Sequence, residues 1–150
     1  MWRDPSLIPL SHQHHNGLAL CVLTRQGLRA DTSPANIAKL ARRAVDRYEI
    51  ELVNHFDIEE QILFPAVRKS LGEMPLLEEL VAQHRELEIL FGELRAAPSA
   101  ALLEQMCDLL TRHIRREESE LFETAQSRLP EAALRALGIA IEARVVRVCL

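Results

Sequence analysis

The chain has 150 residues, a net charge of −4, an apolar fraction of 48% and only 4% aromatics. That length suits one domain with its own core, and a profile rich in Leu, Ala and Glu with few Gly is that of an all-helical protein, not a sheet. The acidic balance, with no Lys/Arg-rich stretch and no apolar run near the ~20 residues of a membrane span, argues against nucleic acid and membrane as partners.

The first ten residues, Met1 to Leu10, carry prolines and an acid where a signal peptide needs an apolar run. A first helix is predicted from Ser6 or Ser11 to Arg29. The next segment, Asp31-Thr32-Ser33-Pro34, reads as a loop, with Ser33 as N-cap and Pro34 as the first helical residue. A long second helix is predicted over 34–70, which Pro65 should kink or end early. After the turn Leu71-Gly72-Glu73-Met74-Pro75 a third helix covers 75–97. A fourth covers 99–128 after the break at Ala97-Pro98-Ser99, and a shorter fifth covers 130–148 after Leu129-Pro130. Four long helices with short connections predict an up-down-up-down four-helix bundle over about 6–128, in a single domain spanning 1–150. The fifth helix, through Leu134, Leu137, Ile141, Val145 and Val148, completes the core or meets a second copy in a homodimer, the former being favoured. The cysteines, Cys21, Cys107 and Cys149, form no C-x-x-C and imply reduced thiols in a cytoplasm.

Chemistry enters with a pattern that occurs twice. His55-Phe56-Asp57-Ile58-Glu59-Glu60-Gln61-Ile62-Leu63-Phe64 and His113-Ile114-Arg115-Arg116-Glu117-Glu118-Ser119-Glu120-Leu121-Phe122 are both H-x-x-x-E-E-x-x-L-F. On a helix, residues i and i+4 point the same way. His55 and Glu59 therefore share a face with Tyr48, Leu52, Ile62 and Ala66, and His113 and Glu117 share one with Leu102, Met106, Leu109 and Leu110. The second acids, Glu60 and Glu118, fall off these faces as exposed charge or outer acceptors. Glu120, about 20° from His113, is a candidate acceptor to orient an imidazole.

A buried imidazole and carboxylate are costly unless satisfied, and a metal satisfies both. The third helix adds His84 among Leu77, Leu80, Leu87 and Phe91. The first helix offers His12, His14 and His15, on a helix apolar nearly all round; His15 is favoured, then His12, with His14 last. One inward His on each helix and two inward Glu suit iron, manganese or zinc. The Glu-x-x-His of ferritin-like sites, H-E-x-x-H, Gly-rich phosphate loops and G-x-S-x-G are absent from the sequence.

These residues together resemble the hemerythrin-like family, the HHE cation-binding domain, over about 6–128. The resemblance rests on the first-helix His, with Leu18 three after His15, on His55-x-x-x-Glu59-Glu60, on His84 and on His113-x-x-x-Glu117. It implies a non-haem di-iron centre, with Glu59 and Glu117 as bridging carboxylates and His15, His55, His84 and His113 as terminal ligands. The oxygen-carrying members have a second third-helix His; here the flanking positions hold Leu80 and Glu88. A water, His12 or Glu88 takes that place, and the vacancy weighs against plain oxygen carriage.

The expectation is thus a cytoplasmic protein with two irons that binds or senses O2 or nitric oxide, more a gas-binding protein than an enzyme. The competing readings are an oxygen- or peroxide-reducing enzyme, an iron donor in iron–sulfur cluster repair, and a metal-free interaction bundle. Repair is disfavoured, because the short lead before the first helix leaves no room for the extra Cys-bearing domain of such relatives.

Overall fold

The computed structural model describes residues 2–148; Cys149 lies outside them. The first helix, Ile8–Ala30, follows a turn in which Leu7 N–H donates to the Asp4 carbonyl at 2.9 Å. Pro9 is harmless there, since the first turn has no use for its missing N–H. The second helix runs without interruption over 34–71, its Ser33 Oγ accepting from Asn36 N–H at 3.3 Å as the N-cap pattern predicts. Gly72, at φ 84°, closes it in the left-handed region where glycine costs least. The third helix is Pro75–Ala96, and the fourth, over 100–128, is capped by Ser99, whose Oγ accepts from Leu102 N–H at 3.1 Å.

Each helix packs on the next and the fourth closes on the first, making a four-helix bundle with short loops. The fifth helix, Glu131–Glu142, ends six residues sooner than predicted; 143–144 turn and 145–148 run on without regular structure. Leu134, Leu137 and Ile141 are buried with Leu7, Leu10 and Phe64, so this helix completes its own core.

Pro65 does not end the second helix, and π-helical turns explain why. They occupy Tyr48–Leu52, Glu59–Leu63 and, in the fourth helix, Glu117–Leu121. The turn before Pro65 is wide, with Phe64 N–H reaching back to Glu59 O, so the ring meets no carbonyl packed four residues earlier.

The same turns shift every later residue by one position, about 100°. Ile62 and Ala66, predicted inward, are only half-buried; Leu63, Phe64 and Val67 take the core instead. In the fourth helix Leu121 and Phe122 turn inward. Glu120, predicted near His113, faces out and pairs with Arg116 at 3.5 Å.

Two apolar clusters result, one around Leu20, Phe56, Phe91 and Met106, the other around Leu10, Phe64, Leu80 and Phe122. A layer of buried polar side chains lies between them.

Candidate metal centre

Six side chains form the middle of that layer: His14, His55, Glu59, His84, His113 and Glu117, all at most 2% exposed. The first helix therefore turns His14 inward, and not His15 or His12, which are both exposed. The misplacement has a physical source. Heptad spacing from the buried Leu7 and Leu10 selects His14, then Gly17 and Cys21, whereas the expectation of His15 rests on Ala19, Val22 and Leu18, on a helix without a clear apolar face. His12 and Glu88, expected as candidates for the place of the missing third-helix His, are not among these six, and Glu88 pairs with Arg85.

The carboxylates sit among the imidazoles. Glu59 Oε1 contacts His55 Nε2 and lies 4.0 Å from His14 Nε2, while its Oε2 is 3.8 Å from His84 Nε2. Glu117 Oε1 is 2.5 Å from His113 Nε2 and 3.4 Å from His14 Nε2. His84 Nε2 and His113 Nε2 are 3.1 Å apart. Two groups, His14/His55/Glu59/Glu117 and Glu59/His84/His113/Glu117, each offer donor atoms within 4.8 Å of one another, and they share both carboxylates.

All four imidazoles are held from behind, through Nδ1. His14 is 3.0 Å from Glu118 Oε1 and His84 is 2.7 Å from Glu60 Oε2. His55 is 2.9 Å from Gln13 Oε1 and His113 is 2.8 Å from Gln83 Oε1. A carboxylate oxygen only accepts, so Nδ1 of His14 and of His84 carries the proton and Nε2 presents its lone pair to the centre. Phe122 stacks on His14 at 5.1 Å and Phe64 on His84 at 5.9 Å.

The arrangement has an approximate internal repeat. Leu7-x-x-Leu10-x-x-Gln13-His14 matches Leu77-x-x-Leu80-x-x-Gln83-His84, and each is served by an H-x-x-x-E-E-x-x-L-F segment. In both segments the second Glu reaches a Q-H histidine and the Phe stacks on the same ring. Sequence reasoning missed the roles of Gln13 and Gln83; of the acids it offered as outer acceptors, Glu60 and Glu118 reach the rings and Glu120 does not. The repeated Leu-x-x-Leu-x-x-Gln-His was the signal that selects His14.

Burial pushes the His55 and His113 imidazoles below their usual value, that of His113 far below, against the opposing pull of Glu59. Burial also pushes the Glu59 carboxyl up, but His55, His84 and His113 outweigh it and hold the group at about 2. Glu60 is held low by its bond to His84; Glu118, raised by burial, is pulled below its usual value by His14, Ser11 and Arg3. The neutral His55 and His113 imidazoles thus face an ionised Glu59.

That donor set fits a metal. His14 Nε2, His55 Nε2 and both oxygens of Glu59 and of Glu117 are buried with no hydrogen-bond partner, and lone pairs this close repel unless a cation lies between them. Imidazole and carboxylate without thiolate suit iron, manganese or zinc; Cys21 and Cys107 lie in the apolar cluster near Met106.

The family model of the hemerythrin HHE cation-binding domain matches residues 7–125. The chain belongs to this family, and its buried His and Glu groups fit cation binding. A curated protein from Nostoc sp., described as a DNA nickase, is 33% identical over 84 residues, 53% of this chain. The chain spans only 24% of that protein's length. No solved structure shows a significant match.

Proposed function

We propose that the chain binds two irons between its helices and uses them to bind or sense O2 or nitric oxide. The observation that carries this reading is the pair of four-donor groups sharing Glu59 and Glu117. Glu59 and Glu117 would bridge, His14 and His55 would hold one iron, and His84 and His113 the other. His14 takes the role that the family resemblance gave to His15. When bound, such a pair supplies redox-active metals with coordination positions free for a small molecule.

The protein's own groups do the rest. Glu118, Gln13 and Glu60 keep protons on Nδ1 of His14, His55 and His84 and so keep Nε2 free for metal, and Gln83 Oε1 stands at His113 Nδ1. The two apolar clusters exclude bulk water on either side. The test is the optical spectrum of anaerobic iron-loaded protein, which should change on adding O2 or nitric oxide. No change with either gas would overturn the gas-binding reading.

A peroxide-reducing enzyme is the second reading, favoured by the donor count. Two imidazoles and two shared carboxylates leave each metal short of six ligands. Sustained peroxide turnover, lost in Glu59→Ala, would establish it. Action on DNA is suggested only by the name of the Nostoc protein, and the net charge of −4 speaks against it. Binding of duplex DNA that weakens with added salt would reverse that view. We place the protein in a cytoplasm on the odd, widely spaced set Cys21, Cys107 and Cys149 with no C-x-x-C, and size-exclusion mass measurement tests the homodimer.

A further inference from the structure

The two halves of the polar layer match in their residues but not in how those residues are held. Behind His55 stands a chain of hydrogen bonds that ends on backbone. Val146 N–H donates to Asn54 Oδ1 at 2.9 Å and Asn54 Nδ2 donates to the Arg144 carbonyl at 2.9 Å. A backbone N–H can only donate and a carbonyl only accept, so the Asn54 amide has one allowed orientation. Gln13 Nε2 then donates to Asn54 Oδ1 at 3.0 Å and to the Val146 carbonyl at 3.1 Å. Both are acceptors, which fixes the Gln13 amide in turn. Its Oε1 is left facing His55 Nδ1 at 2.9 Å, so that nitrogen must carry the proton. Behind His113, Gln83 Oε1 fills the same place, but Gln83 Nε2 makes no hydrogen bond to another described residue.

We propose that Asn54 and the segment 144–146 are positioning groups for one half of the metal centre: through Gln13 they hold His55 in its Nδ1–H form, aimed at the metal beside Glu59. This inference rests on the two-metal reading and adds to it an inequality between the halves. In the segment, Val145 packs against the cluster of Leu10 and Phe64, and hydrogen bonds to Asn54 and Gln13 hold the rest. A cavity of about 200 Å3 separates it from His12, Asn16 and Glu51, and the Val146 side chain is exposed. Freeing the segment therefore loosens His55 without unpacking the bundle.

The test compares the parent with Asn54→Leu and with a chain ending at Ala143. Each is loaded with zinc, and metal release to a chelator is followed over time. Both variants should release one metal at least about tenfold faster while the second leaves at the parent rate, the size expected for a group that orients a ligand. Imidazole N–H signals in nitrogen-15 NMR give the second readout: His55 Nδ1–H should exchange with water faster in the variants, and those of His14 and His84 should not. Asn54→Gln, which keeps both bonding ends, should restore part of the slow release. Equal acceleration of both metals, or of all the imidazole protons together, would show a merely structural role and overturn the inference. If the parent holds no metal, the two-metal reading falls, and the metal-free His55 signal still decides this one: no faster exchange in Asn54→Leu refutes it.

Discussion

The apolar clusters and the polar layer between them are equally buried but contribute to stability in opposite directions. Leu80, Leu87, Phe91 and Leu110 are fully buried and lose nothing by it. Glu59 and Glu117 are buried as deeply, yet all four of their carboxylate oxygens lack a hydrogen-bond partner. A side chain that costs folding energy in the metal-free protein is kept for what it binds. The fold is built by the clusters; on the proposed reading, the layer is a cost that a bound metal would remove.

Several measurements sharpen or break this contrast. The largest effect belongs to the double change Glu59→Leu with Glu117→Leu. It should abolish metal binding altogether, read by elemental analysis, and raise the metal-free unfolding free energy by about 1–4 kcal/mol. A less stable variant would mean that the imidazoles already satisfy the carboxylates. Leu80→Ala, in the cluster, should do the reverse, costing about 2–5 kcal/mol in urea unfolding while metal stoichiometry stays unchanged.

Acid should act on the layer. Folding holds the His55 and His113 imidazoles below their ordinary value of 6.5, so the unfolded chain binds more protons. Their contribution is complete above that pH and falls away below it, as pH drops toward the folded values. Glu59 adds a second loss below 4.5, as pH falls toward about 2. The urea midpoint of metal-free protein should therefore decline from about pH 7 to about pH 5; a flat or rising profile would contradict the neutral-imidazole picture. The smallest effect is that of Glu120→Ala, which should leave metal content unchanged and stability within about 0.5 kcal/mol, since only an exposed pair with Arg116 is lost.

Much of this was legible in the residues. Ser33-Pro34 and Ser99 marked their helix starts, and the doubled H-x-x-x-E-E located His55, Glu59, His113 and Glu117 on buried faces. What failed was phase. A constant 100° per residue held from His55 to Glu59, then broke at the π turns that begin at Glu59 and Glu117. Ile62, Ala66 and Glu120 were misplaced for that single reason. His14 was missed because the first helix buries small and polar residues such as Gly17 and Thr24 and so shows no clear stripe. Gln13 and Gln83 went unread because they act through an imidazole, and their significance shows only when Gln13-His14 is set beside Gln83-His84. The end of the fifth helix was missed as well, since Val145 to Val148 continue the apolar pattern in a segment whose backbone bonds to Asn54.

The most direct measurement is metal identity and stoichiometry on protein purified from iron-replete cells. Two overlapping donor groups sharing Glu59 and Glu117 predict about two irons per chain. A single zinc, or no metal at all, would contradict the account and leave the buried layer without the cation that its unpaired oxygens and imidazole nitrogens require.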